Sequence, residues 1–70
     1  MIQFIHKGVE IEIELHQLQQ DFWRCDFSII HHDAGKRMPT VYHAKGEFPT
    51  MDLAEQSALQ EARQIIDRTQ

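Results

Sequence analysis

The residues best suited to chemistry crowd into "SIIHHDAGKRMPTVYHAKGEF", residues 28–48. Three of the chain's five histidines lie there, among Asp33, Lys36, Arg37 and Lys45. His31, His32, Asp33 and His43 are the candidate metal ligands. Two or three of them, brought together across a hairpin, could hold zinc or nickel. His31 and His32 are adjacent, so in an extended chain they point to opposite faces and cannot share one ion unless the strand has ended there. No His-x-x-x-His spacing on a helix and no cysteine pair supports a site. Surface histidines are the expected reading, with no metal and no other cofactor. Lys36 and Arg37 could meet an anion or a partner's acidic surface. Gly35 marks a turn, and residues 32–38 are expected to form a mobile polar hairpin loop.

Other reactive groups have equally plain readings. Cys25 is the only cysteine. It alternates with Trp23 and Phe27 toward one face, where a thiol behaves as a small inert hydrophobe. Successive members of the row Glu10, Glu12 and Glu14 stand about 7 Å apart, a spacing that paired catalytic carboxylates can use. Such work also requires surroundings that separate their pKa values, and an outward strand face offers none. There is no phosphate cradle and no nucleophile–base pair. The chain is expected not to be an enzyme.

The elements that must position these residues follow from periodicity. "VEIEIEL", residues 9–15, alternates strictly: Val9, Ile11, Ile13 and Leu15 on one face, three glutamates on the other. That is a half-buried strand. Upstream, Ile2 and Phe4 also alternate, but on even numbers. A bulge or tight turn at Lys7-Gly8 would restore a single buried face. A second strand covers residues 22–30, with Trp23, Cys25, Phe27 and Ile29 inward and Arg24 outward, where it can pair with Glu14 or a neighbour. "QLQQD" makes the intervening turn of an antiparallel hairpin. A third strand covers residues 40–48, with Tyr42, Ala44 and Phe48 on its inner face and Pro39 and Pro49 setting its limits.

Residues 50–70 form a helix. Thr50 is its N-cap, Asp52 and Glu55 complement the positive end of the dipole, and Arg68 the negative end. Met51, Ala54, Ala58, Ala62, Ile65 and Ile66 make its apolar stripe, with Leu59 at the edge. The expected fold is α+β: a three-stranded antiparallel meander with one C-terminal helix packed on one face, a β-β-β-α two-layer sandwich. Residues 1–70 make one domain.

The order of elements and the helix opening "PTMDLAEQSALQEA" resemble the N-terminal domain of HicB-type antitoxins. Thr50, Asp52 and Ala54 match that family's Thr-x-(Asp/Glu)-x-Ala helix start, and the likeness spans roughly residues 9–66. The resemblance implies a bacterial regulator linked to nucleic acid. In two respects this chain departs from the family. "HHDAGKRMPT" replaces the usual proline- and glycine-containing turn, and the separate DNA-binding segment of many members is absent. The chain also looks like the small single-domain proteins of bacteria. The double-stranded-RNA-binding fold shares the sheet and final helix, but its basic motif is replaced here by Thr50, Met51, Asp52.

Composition sets outer limits. Seven basic residues against eleven acidic give a net charge of −4 with neutral histidines. Residues 1–20 and 51–70 each sum to −2, and residues 21–50 to zero, with four of each sign. Phosphate binding is dominated by Lys and Arg, so an acidic chain is a poor general binder of nucleic acid. A lone cysteine suits a reducing compartment, and no leader is evident, so a cytoplasmic location is expected. No apolar run is long enough to span a membrane.

The function expected from the residues is a small protein-interaction module. Ile30, Val41, Lys36 and Arg37 are the candidate partner-binding residues. Apolar islands at Leu18/Phe22 and Ile30/Val41 interrupt the outer face, and such islands mark partner sites. So short a chain also gains from association. A two-fold homodimer is expected, through the third strand's edge or the outer face, because paired first strands would bring like charges together.

Overall fold

The structure, a computed structural model, describes residues 2–19 and 21–69. Among the described residues, four strands, not three, precede the helix: β1 (Ile2–His6), β2 (Val9–Gln19), β3 (Phe22–Asp33), β4 (Lys36–His43), then α1 (Met51–Thr69). They form one antiparallel sheet in the order β1-β2-β3-β4, and α1 packs on β2 and β3.

The extra strand explains the parity flip. Lys7 and Gly8 both have positive φ, 52° and 77°. That is the signature of a two-residue type I′ hairpin, whose twist matches its flanking strands. The tight turn therefore joins two separate strands. His6 pairs with Val9 and Phe4 with Ile11. The even residues of β1 thus share a face with the odd residues of β2. The glutamate-bearing strand lies inside the sheet, and the two edges are β1 and β4.

β3 and β4 also depart from expectation. Residues 32–38 are not a loop. β3 runs on to Asp33 and β4 starts at Lys36, so only Ala34 and Gly35 turn the chain, with φ of 52° and 79°. This is a second two-residue hairpin: polar and charged residues on both sides of Gly35 pair as strand right up to the turn. Pro39 is within β4, opposite Ile30, rather than before it. An edge strand tolerates proline wherever its missing N–H would have faced outward. The expected strand over 40–48 splits. β4 ends at His43, Gly46 adopts φ 95°, and the chain re-joins the sheet where Trp23 and Phe48 exchange two backbone hydrogen bonds of 2.7 and 2.9 Å. Of the expected turn "QLQQD", Gln17 to Gln19 belong to β2, which continues across a register shift between Gln17 and Gln19, and Gln20 lies outside the described residues.

The core lies between the sheet's inner face and the helix. Val9, Ile11, Ile13, Cys25, Phe27 and Ile29 meet Ala54, Ala58, Ala62 and Ile66. Phe27 stacks on Tyr42, with centroids 5.2 Å apart and rings 13° from parallel. Trp23, expected inward, is only half-buried: it packs at the margin of the core, opposite Phe48. The helix starts as its sequence requires: the Thr50 hydroxyl accepts from the Leu53 amide at 3.1 Å. Met51, expected on the buried stripe, is 47% exposed, and burial along the helix starts at Ala54.

Candidate functional site

With α1 on one face, the other face of the sheet is uncovered. Strand registers place its side chains in cross-strand rows. Ile5, Glu10, Ile30 and Pro39 form one row; Gln3, Glu12, Ser28 and Val41 the next; then Glu14, Asp26 and His43; then His16 and Arg24. Two polar networks cross these rows.

The first is built on Arg37. Its Nη2 donates to Glu12 Oε1 and lies 3.5 Å from Glu10 Oε2. Arg37 is on β4 and the glutamates are on β2, so the side chain must cross β3. Ile30 lies in its path and is 1% exposed. Long basic side chains commonly cover apolar surface with their stems while their heads stay wet. Ile30 is therefore covered within the chain rather than presented to a partner. Its neighbour Val41 is 63% exposed, and Lys36 is exposed opposite Asp33. Arg37 is engaged with carboxylates of its own sheet.

The second network converges on Asp26. Its Oδ1 accepts from His43 Nδ1 at 2.8 Å, and its Oδ2 faces His16 Nε2 at 3.0 Å and Arg24 Nη2 at 3.9 Å. Partial burial pushes the carboxyl pKa up. The hydrogen bond and charge of His43, with the charges of Arg24 and His16, outweigh this and hold it below the ordinary carboxylate range. Arg24 thus finds its carboxylate on its own strand, two residues away, rather than at Glu14. Asp26 and His16 were not singled out from the sequence, although period two and the hairpin register place both on the outer face.

This lowered pKa sets a pH dependence. A depressed folded-state pKa contributes stability above the unfolded value of about 3.9, and that contribution is lost as pH falls through the folded value. Asp26→Asn should therefore lose stability against the native chain at neutral pH, and the gap should close as pH drops below about 4. Urea unfolding of both chains at pH 7 and pH 3 measures this. An equal gap at both values would remove Asp26 as the centre of the network.

The four metal candidates are not brought together. His31, His32 and Asp33 pair with Met38, Arg37 and Lys36 near the hairpin tip, while His43 is opposite Asp26. Met38 and His43 are five positions apart along β4, which is about 17 Å of strand. Among the described residues, no group of three His, Cys, Asp or Glu side chains could hold a metal ion.

Concave space is modest. A hollow of about 110 Å³ lies over the outer face, lined by Glu12, Glu14, Asp26, Ser28 and Val41 with Ile13 and Phe27 beneath. That is well below the roughly 300 Å³ at which small-molecule sites begin. A larger notch of about 360 Å³ opens between Leu18, Gln19, Phe22 and Glu47 at the end of the sheet. Cys25 is fully buried, and burial with the nearby carboxylates of Asp26, Glu55 and Glu61 pushes its thiol up to about 11.

The fold and this face define a two-layer α+β domain with one open sheet surface. No family model, curated protein or solved structure matches the chain. Among the described residues, no helix is long and apolar enough to cross a membrane.

Proposed function

We propose that this chain is a non-enzymatic protein-interaction module whose binding surface is the open face of the sheet. The observation that carries this is the make-up of that face. Ile5, Val41 and Phe22 are exposed on it, and exposed Leu18 lines the notch beside Phe22 at its end. They surround a centre where four carboxylates, Glu10, Glu12, Glu14 and Asp26, face two guanidinium groups, Arg24 and Arg37. The fitting partner is a protein surface that offers apolar side chains and at least one basic group to Glu14. Charge complementarity of this kind steers association and fixes its register. The same acidic centre repels a phosphate backbone, which argues against the nucleic-acid-linked reading. A buried thiol held largely protonated, and a hollow over the acidic centre of only about 110 Å³, support a binding role rather than a catalytic one at this face.

The test pairs capture with mapping. The native chain and a Glu14→Lys, Val41→Glu variant are used to retain partners from the source cell extract, with nuclease and chelator washes. The retained protein is then titrated into labelled chain. Loss of retention in the variant, with NMR shifts confined to the Ser28, Val41 and Glu14 region, is expected. Shifts confined to the exposed side of α1 would overturn the assignment of the face. Retention abolished by nuclease would favour the antitoxin-like alternative, and retention abolished by chelator would favour metal binding.

A further inference from the structure

The two edges of the sheet differ in a way that the open face does not explain. In an antiparallel pair, alternate residues direct their N–H and C=O groups into the pair and away from it. A two-residue hairpin closes on a hydrogen-bonded pair, here His6 with Val9. His6, Phe4 and Ile2 therefore bond to β2, and the N–H and C=O groups of Gln3 and Ile5 point outward. At the other edge the β3–β4 hairpin closes on Asp33 with Lys36. Lys36, Met38, Thr40 and Tyr42 bond inward, leaving Arg37, Pro39, Val41 and His43 on the free edge.

Pro39 removes the donor from the middle of that row, and Arg37 adds a charge beside it. Both are devices that keep edges from pairing. β1 has neither: no proline, no Lys, Arg, Asp or Glu, and Ile5 is 77% exposed. We infer that β1 is a docking edge for a second copy of this chain, paired antiparallel about a two-fold axis at Phe4.

The register follows from the edge itself. Pairing Gln3 with Ile5 of the second copy, and Ile5 with its Gln3, satisfies all four outward groups on each edge. Phe4 then stands opposite Phe4 in a non-hydrogen-bonded pair, where side chains approach most closely. Even residues meet even residues, so both helices fall on the same side of one eight-stranded sheet. A one-residue slip would put them on opposite sides.

The half-buried residues agree with this. Ile2 and Phe4 pack on the core from β1 without being closed over. Leu59, Arg63 and Asp67 form the helix stripe next to Ala58, Ala62 and Ile66. Asp67 accepts from His6 and Lys7 at 2.8 Å, which fixes that stripe on the β1 side. Half-buried Leu59 thus borders the seam, and a second copy would cover it together with Ile2 and Phe4. β1 carries no Lys, Arg, Asp or Glu to oppose its symmetry mate, and its one histidine, His6, is held by Asp67 of its own chain.

Sedimentation across roughly 10 to 500 micromolar tests the association, since a short seam gives a concentration-dependent dimer. The expected result is a shift from 8.3 kDa toward twice that mass. Amide exchange tests the edge. The Gln3 and Ile5 amides should become protected only at high concentration, while Phe4, bonded to β2, stays protected throughout. Gln3→Pro removes an outward donor, as Pro39 does on β4, and should leave a folded monomer at every concentration. Should that variant fail to fold, Ile5→Pro removes the other outward donor of the edge and should also leave a monomer. A species of 8.3 kDa throughout would overturn the inference. So would a dimer in which Gln3 and Ile5 exchange freely. Neither result bears on the open face, whose own test is separate.

Discussion

Phe27→Ala is expected to leave most of the chain unfolded at room temperature. Phe27 is fully buried at the centre of β3, between Ile13 on one neighbouring strand and Tyr42 on the other, beneath the helix. Truncating such a side chain removes its transfer free energy and leaves a cavity, about 3–5 kcal/mol together. The stacking on Tyr42 is lost as well. Small domains have a total stability of about 5–15 kcal/mol, and one this short lies near the bottom of that range. Circular dichroism on heating and in urea provides the measurement. A melting temperature within a degree of the native chain would mean that Phe27 does not sit in the core. Trp23→Ala should cost less, because Trp23 is half-buried and leans on Phe48 at the margin.

The next largest effect is expected from adding bulk, not removing it. Ala54, Ala58 and Ala62 are completely buried. They let α1 sit close to β2 and β3, and the larger inward residues of the sheet fill the space. Ala58→Leu inserts three carbons where no room exists. Either the helix lifts or neighbouring side chains leave their rotamers, at about 1–3 kcal/mol and occasionally more. Gln60→Leu, on the exposed side of the same helix, should change stability by no more than about 0.5 kcal/mol. Unfolding curves of the two variants against the native chain decide. If Ala58→Leu were as neutral as Gln60→Leu, the helix could not be packed through its alanines.

These expectations rest on features that the sequence carries openly. Strict alternation from Val9 to Leu15 and from Trp23 to Ile29 specifies two half-buried strands, because period two admits only one division of faces. The alanine stripe and the Thr50 cap specify the helix and the face it buries. An antiparallel sheet with one C-terminal helix follows from those three elements, since each has one apolar face to cover. The acidic character of the outer face is equally local, being written in Glu10, Glu12 and Glu14.

The site was less legible, and the reason is that it depends on pairing. His31, His32 and Asp33 look like ligands when read along the chain, but register spreads them over the tip of a hairpin, away from His43. Asp26 looks like an ordinary outward residue, but register puts His43 opposite it and His16 on its diagonal. Ile30 looks exposed by parity. It is buried because Arg37, from a strand two positions away from the glutamates, reaches over it.

The sequence by itself determined the class of fold, the helix with its cap, the inner faces of β2 and β3, and the charge of the open surface. Each depends on residues within one element, at the period of that element. Only the tertiary structure decided that Ile2–His6 is a strand of its own, that β3 and β4 run to a two-residue turn, and which strands form the edges. Those outcomes turn on positive φ at Lys7, Gly8, Ala34 and Gly35, and on which strand supplies each strand's hydrogen bonds. A backbone group meets its partner across the sheet rather than along the chain, so no run of neighbouring residues records the pairing.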